Sequence, residues 1–488
     1  METIYTHREN SIVNILGYGI TTQALVKLLN YYNVTCHIYD DKFTRDTCAL
    51  DSMNHYYPLH DVTLQVERIS YISIISPGIS PQTACLALFK NIISEYDFIY
   101  FLLQNGAMTD APYTVWVSGT NGKTTTTEMT ALMLKARAGG NIGIPLTELL
   151  DYQHTTNVFH SALSLLMEYA KHNNEYVLPQ SLLYKRVPKI DKMIWVLETS
   201  SFSLHWTHFA LPNLYILLPL SQDHISWHGS YENYIKDKLK VLMLMNKTEH
   251  PKSYFALIPQ ELCQLPFATE IIASCKANIF LYQDSLHLCE YFGITRDYRE
   301  LFREPFRLDF AVSLGGIRFA QLPCDVARIK EYQIGEYRMQ EKVHNGILFI
   351  NDSKGTNPHA TLAALESYKN HTLYLILGGD SKGAQLEMLY PHIKQHNIEV
   401  FSIGKDGQYI ASTCREYGII VCFCGTLQRA MQAIFTRIRQ RHCDPSPENP
   451  LAVMLSPACA STDQYLSYKY RGEEFAQLIE EVFKESPL

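Results

Sequence analysis

Residues 115–127 read Val115-Trp116-Val117-Ser118-Gly119-Thr120-Asn121-Gly122-Lys123-Thr124-Thr125-Thr126-Thr127. The apolar run Thr114–Val117 predicts a buried strand, the two glycines a tight turn, and the sequence through about Lys135 a long helix. Such a turn aims backbone N–H groups at an anion, and the helix N-terminus adds favourable partial charge. Lys123 supplies a mobile cation for outer phosphates, and the Thr124 hydroxyl suits magnesium. The strict phosphate-loop pattern would place glycine at 117, where Val117 stands, so this is a shorter variant.

Outward from this loop the same grammar repeats. Ser11–Leu16 leads through Gly17-Tyr18-Gly19 into a periodic stretch, then Val34–Tyr39 ends at Asp40, and Ile72–Ile75 ends at Ser76-Pro77-Gly78. Strand, turn, helix and strand make the first ~110 residues a small α/β unit with a mostly parallel sheet. Gly17 and Gly19 hint at a dinucleotide turn, but the third glycine of that pattern is absent, and a turn without ligand is an equal reading. On the other side, Ile194–Leu197 and Leu214–Leu218 read as buried strands. A third series begins near Gly335, with strands Ile347–Ile350, Leu373–Leu377 and Leu451–Leu455, each running into a polar loop. Ligands of open α/β sheets bind beyond the carboxyl ends of the strands. Polar clusters at that place in all three series point to one composite site.

Composition bounds the function classes. At 488 residues the chain predicts about three domains. A hydrophobic fraction of 47% with 19% charged residues excludes disordered and fibrous classes. A formal charge of -7 without a basic run gives no footprint for nucleic acid. The twelve cysteines include no CxxC pair, the nearest being Cys422-Phe423-Cys424, and read as reduced thiols. The N-terminal METIYTHRENSIV carries Arg8 and Glu9 where a signal would be apolar. No run approaches ~18 apolar residues, so a cytoplasmic protein without membrane insertion is expected.

Glu198 ends one strand and Asp223-His224 follows the next, a carboxylate and an imidazole placed for a magnesium shell, although His is an unusual ligand for so hard a cation. Lys354 and Lys382 each follow an Asp and a Ser at strand ends, where two ammonium groups can hold carboxylates or phosphates. The stretches 151–191 and 247–304 are poor in clear signals, and 439–450 reads as a turn-rich surface loop.

The set GTNGKTTT (119–126), GNIGIP (140–145), LETSSF (197–202), DH…HGSYENYIKDK (223–238), NDSKGTN (351–357), GGDSKGA (378–384) and SPACASTDQY (456–465) resembles the Mur ligases, in uninterrupted order from about Gly17 to Phe475. The last three motifs resemble the branch that adds D-glutamate to UDP-N-acetylmuramoyl-L-alanine. The resemblance implies an α/β protein of three domains. These are a Rossmann-like uridine-nucleotide domain over 1–112, a phosphate-loop ATPase domain over 113–334 and a Rossmann-like amino-acid domain over 335–488. It implies a monomer, ATP, two magnesium ions, and an amide made through an acyl phosphate.

Residue by residue, the resemblance puts ATP on Gly119, Thr120, Asn121, Gly122, Lys123, Thr124 and Thr125, with Arg338 and Asp352 from the third domain. It puts magnesium on Thr124, Glu198, His224 and Lys238, the last as a lysine carbamylated by carbon dioxide. The catalytic set is then Lys123, His224, Lys238 and Lys354. Ile20, Thr21, Asp40, Ser76 and Gly78 meet the uridine diphosphate part, and Asn141 and Ser200 the sugar-peptide end. Thr356, Lys382, Ser461 and Tyr468 surround D-glutamate.

Three departures stand out. Gln222 and Ser226 replace acidic residues frequent in the family, the stretch 135–141 is short and is expected to lack a strand before GNIG, and Glu304-Pro305-Phe306-Arg307-Leu308-Asp309 replaces an asparagine-bearing adenine segment. Residues 151–191 read as an insertion. Another phosphate-loop kinase or NTPase would leave Lys238, GGDSKGA and SPACAS unexplained, and a non-catalytic homologue would not need the full set of charged residues.

Overall fold

In the computed structural model the described residues are 12–44, 53–60, 70–106, 111–150, 156–172, 178, 180–184, 193–440 and 450–485. The N-terminal METIYTHRENS and most of the 439–450 loop lie outside them.

Three parallel sheets order the chain. The first has order β3-β2-β1-β4-β5, with β1 (Ile12–Leu16), β2 (Thr35–Tyr39), β3 (Asn54–Tyr57), β4 (Ser73–Ile75) and β5 (Ile92–Ile93). The second has order β11-β10-β9-β6-β8-β7, with β6 (Tyr113–Ser118), β7 (Arg137–Gly140), β8 (Ile194–Glu198), β9 (Leu214–Leu217), β10 (Phe255–Pro259) and β11 (Asn278–Tyr282). The third has order β12-β13-β17-β14-β15-β16, with β12 (Gln340–His344), β13 (Ile347–Asn351), β14 (Thr372–Gly378), β15 (Ile398–Ile403), β16 (Val421–Gly425) and β17 (Leu451–Leu455). Among the described strands, the β12–β13 pair alone is antiparallel, at an edge. Central strands buried on both faces explain the continuous Val, Ile and Leu runs that announced them.

The chain forms two compact units, one of residues 1–302 and 306–332, the other of 303–305 and 333–488. The first two sheets belong to the first unit and share one apolar cluster running from Val13 to Ala277. In the second unit, apolar layers cover both faces of the third sheet.

One expectation changes. The short stretch before GNIG keeps its strand: β7 pairs with β8 in register from Arg137 against Trp195 to Gly140 against Glu198. Arg-Ala-Gly-Gly carries no β-branched or alternating apolar residue, and the strand is held by backbone pairing at a sheet edge. The 151–191 stretch contains the helix Thr156–His172, whose Phe159 stacks on Tyr32 of the first sheet's layer at 3.9 Å between ring centroids and 10° between planes. No described helix is long and apolar enough to cross a membrane.

Candidate active site

β6 carries the chain into the loop Gly119–Gly122, and the helix Lys123–Leu134 starts immediately after it. Gly122 caps that helix with φ +81°, and Gly119 has φ +150°. A Cβ on Gly119 would lie 2.5 Å from Leu218 Cβ, and one on Gly122 would lie 2.2 Å from Asp309 Oδ1. Glycine is thus required twice, by conformation and by space. Thr120 is anchored on the neighbouring strand end: its Oγ1 accepts from Ser221 N at 2.9 Å and lies 2.7 Å from Tyr234 Oη. Lys123 Nζ donates to Gly119 O at 3.1 Å and Thr120 O at 2.8 Å, folded back over the loop whose anion it is suited to meet. Asn121 is exposed, Thr124 half-buried and Thr125 buried in the first helical turn.

Glu198 ends β8, directly beside β6. It is 2% exposed; its Oε1 accepts from Asn141 Nδ2 at 2.6 Å, while Oε2 is buried with no hydrogen-bond partner. An orphaned buried carboxylate oxygen costs free energy unless something cationic meets it. Asn141 also donates its backbone N–H to Glu198 O, so GNIG and LETSS form one corner. Ser200 caps the short helix Ser201–His205 by accepting from Ser203 N.

Lys238 decides the character of the site. It lies on the helix Tyr231–Met245, is 1% exposed, and its Nζ donates to Ser118 Oγ and Gly119 O, both at 3.1 Å. Burial, reinforced by the Lys123 charge, holds this amine well below the ordinary lysine range, although the carboxylates of Asp223, Asp237 and Glu198 pull the other way. Its neighbours differ: Lys236 pairs on the surface with Glu232 at 2.5 Å, and Lys240 donates to His205 O at 2.6 Å. His224 adopts φ +53° and is lowered by burial; Asp223 opposes this, and Lys123, His228 and Lys238 add to it. A buried carboxylate with an unpaired oxygen, a hydroxyl, an imidazole and an amine lowered by burial are a donor set that could hold magnesium at the phosphate loop.

The sequence reading passed over the support behind these groups. Asp237 accepts from His205 Nδ1 at 3.0 Å and His228 Nδ1 at 2.8 Å, and His228 Nε2 lies 3.0 Å from Ser201 Oγ. Burial works against the Asp237 charge, but the two imidazole hydrogen bonds outweigh it and lower the carboxyl. Asp309, in the segment read as degenerate, is buried under the loop, accepting from Thr126 Oγ1 at 3.2 Å. Its signal was a lone carboxylate in an apolar helix.

At the carboxyl ends of the first sheet, Asp40 Oδ2 accepts from Tyr18 N at 2.5 Å and Oδ1 from Lys42 N at 3.0 Å. Ile20 is 72% exposed at the start of the helix Ile20–Tyr31, where Thr21 is half-buried. Ser76 N donates to Leu16 O, and Gly78 O accepts from Trp227 Nε1 at 3.4 Å. Trp227 in turn lies 4.6 Å from Phe202, so the 76–78 loop reaches the Glu198–Ser200 corner.

In the second unit, Asp352 is buried at the end of β13 and accepts from Ser456 Oγ at 2.7 Å and Met339 N at 3.3 Å. Burial pushes its carboxyl up to about 7, against hydrogen bonds and the Arg338 and Arg471 charges. Lys354 Nζ lies 3.3 Å from Tyr468 Oη and 5.0 Å from the ring centroid. Thr356 follows on the same loop, where its N–H donates to Lys354 O. The loops of Lys382 and Ser461 are tied by a two-way bridge between Asp380 and Ala460; Lys382 is exposed with φ +50°, and Ser461 is buried. Arg471, also passed over, is 1% exposed and donates to Ser353 O at 2.9 Å and Cys459 O at 3.2 Å, joining two of these loops.

Residues 117–264 match the Mur ligase middle domain. The UDP-N-acetylmuramoylalanine–D-glutamate ligase of Campylobacter jejuni strain 81-176 is 33% identical over 477 residues, covering 96% of this chain and 100% of that protein. The enzyme of that name from Helicobacter pylori strain 26695 is 34% identical over 482 residues, covering 96% and 99%. Among solved structures, the MurF ligase of Thermotoga maritima in complex with ADP aligns with TM-score 0.50 at 14% identity, over 92% of this chain and 95% of that one. MurF of Acinetobacter baumannii aligns with TM-score 0.52 at 14% identity, over 97% and 92%. The structural likenesses speak for the fold, and the identity to the Campylobacter and Helicobacter proteins along both full chains for the family: the chain belongs to the Mur ligases.

Proposed function

We propose that the protein is an ATP-dependent amide ligase that adds D-glutamate to UDP-N-acetylmuramoyl-L-alanine in peptidoglycan precursor synthesis. The names of relatives at a third identity support this reading. The observation that carries it is the buried Lys238, set against the phosphate loop with its amine held toward neutrality. A phosphate loop alone serves many enzymes; that lysine beside it does not.

A carboxylate is a poor electrophile. Transfer of the ATP γ-phosphoryl to the alanyl carboxylate makes an acyl phosphate, and attack by the D-glutamate amine forms the amide and expels phosphate. Lys123 faces the transferring phosphoryl, and the loop N–H groups of 119–125 hold the others. Thr124, Glu198, His224 and a carbamylated Lys238 would hold magnesium, which would supply charge neutralisation for the phosphoryl group when bound. In its uncharged form the Lys238 amine would add to carbon dioxide, forming the N–C bond of a carbamate and releasing one proton to solvent, which leaves an anion beside the loop.

We assign 1–112 to the uridine nucleotide, through Ile20, Thr21, Asp40, Ser76 and Gly78, and 113–334 to ATP, with Asn141 and Ser200 toward the sugar-peptide end. Residues 335–488 take D-glutamate through Thr356, Lys382, Ser461 and Tyr468, with Lys354 in the catalytic set and Arg338 and Asp352 assigned to ATP. The enzyme acts as a cytoplasmic monomer.

Phosphate release from ATP, measured with UDP-N-acetylmuramoyl-L-alanine and D-glutamate, L-glutamate or L-lysine in turn, tests the assignment. Release is expected only with D-glutamate. Equal turnover with L-lysine overturns the amino-acid assignment.

A further inference from the structure

Away from the site above, one cluster of metal-binding side chains stands out among the described residues: Glu366, His392 and His396. His392 lies on the helix Leu389–Gln395 and His396 caps its C-terminus, four residues on. The chain leaves the helix in extended conformation at His396 and still holds the two rings 4.4 Å apart between centroids. Glu366 comes from the helix Pro358–Ser367, packed alongside. Its Oε1 lies 3.2 Å from His392 Nδ1, and one ligand atom from each of the three residues lies within 4.8 Å of the others.

We propose that Glu366, His392 and His396 form a transition-metal site of the zinc class, with a fourth position open to water. The donor set selects the ion. Two imidazoles and one carboxylate suit zinc, copper or nickel, whereas magnesium and calcium want oxygen. Zn–N bonds of about 2.0–2.1 Å put tetrahedral ligand atoms roughly 3.4 Å apart, so the group needs only a modest contraction. Glu366 can supply it: its side chain is 52% exposed and, among the described residues, paired only with His392 and the exposed Lys369, while His392 is 11% exposed. Burial and the neighbouring His396 lower His392, favouring the uncharged ring that binds metal. The competing cation is Lys369, whose Nζ lies 3.6 Å from Glu366 Oε2 on the exposed side and is displaced without breaking the core. An ion here would staple two helices, one of which begins directly after the loop of Asp352 and Thr356.

The test uses the full chain stripped of metal with a chelator and titrated with zinc chloride. Calorimetry is expected to show one saturable equivalent, thermal melting to shift upward, and cobalt(II) to give the visible absorption of a tetrahedral ion. His392→Ala and His396→Ala should each weaken zinc by at least about tenfold, the low end of what lost metal-site groups cost, with unchanged phosphate release in magnesium alone. His396 stands at a helix end, so its variant keeps the fold, as unaltered circular dichroism would show. Cys422 and Cys424, with sulfurs 3.7 Å apart, are the alternative soft site. Zinc binding that survives His396→Ala, that disappears in Cys422→Ser instead, or that never saturates overturns the proposal.

Discussion

Lys238 Nζ stands 3.1 Å from Ser118 Oγ, so a lysine from the helix Tyr231–Met245 touches the last residue of the strand that delivers the phosphate loop. On the same helix, Lys236 pairs with Glu232 at the surface and Lys240 is spent on a backbone carbonyl. Three lysines at alternate positions therefore live in three dielectrics, and only one is poised for chemistry.

Lys238→Ala should be nearly inactive, and partly restored by an added small carboxylate such as acetate. Lys236→Ala should match wild type, and Lys240→Ala should lose stability rather than turnover. Steady-state phosphate release with and without acetate checks this; a fully active Lys238→Ala removes the carbamate from the mechanism.

Lys123→Ala removes the cation over the loop. Groups of this kind are worth ~10²–10³ in rate, so kcat should fall by that factor with an unchanged circular dichroism spectrum. A loss under about threefold would show that the loop is not catalytic.

Glu95 gives the pH dependence of stability a definite sign. Burial pushes its carboxyl from 4.5 up to about 8, with the backbone N–H groups of Thr147 and Leu146 working against the shift. Between those two values the native state holds a proton that the unfolded chain has released, so stability falls as pH rises through that window and then levels. Glu95→Gln should flatten this slope, with a gain on the order of a few kcal/mol above pH ~8 at ~1.4 kcal/mol per unit. Urea midpoints at three pH values decide it, and parallel curves for both proteins would refute the assignment.

Phe159→Ala tests the packing of the helix Thr156–His172. The ring is 2% exposed and stacked on Tyr32, and truncating a buried aromatic costs ~3–5 kcal/mol. A large drop in urea midpoint is expected. Wild-type stability would mean that this helix does not brace the first sheet.

The strands around the loops were legible because buried parallel strands are written as unbroken apolar runs, as in Ile194–Glu198 and Leu451–Leu455. β7 was not, since Arg137-Ala138-Gly139-Gly140 carries only backbone information. Lys123, Glu198 and Lys238 were readable from motif context. Their partners were not: Asp237 meets His205 across 32 residues, and Arg471, in the charged run YKYRGEE, looks like a surface residue until the fold buries it under Ser353 and Cys459. Pairings of this kind exist only after the chain has closed on itself.

The apolar cluster running from Val13 to Ala277 sets where the gene can be cut. Ending a fragment at residue 112 would strip Tyr32, Phe98, Phe101 and Leu102 of neighbours such as Phe159 and Trp116 and turn a core into an aggregating face. A fragment ending near Tyr332 leaves that cluster whole. Expression of 1–332 should give a soluble, cooperatively melting protein, and 1–112 inclusion bodies.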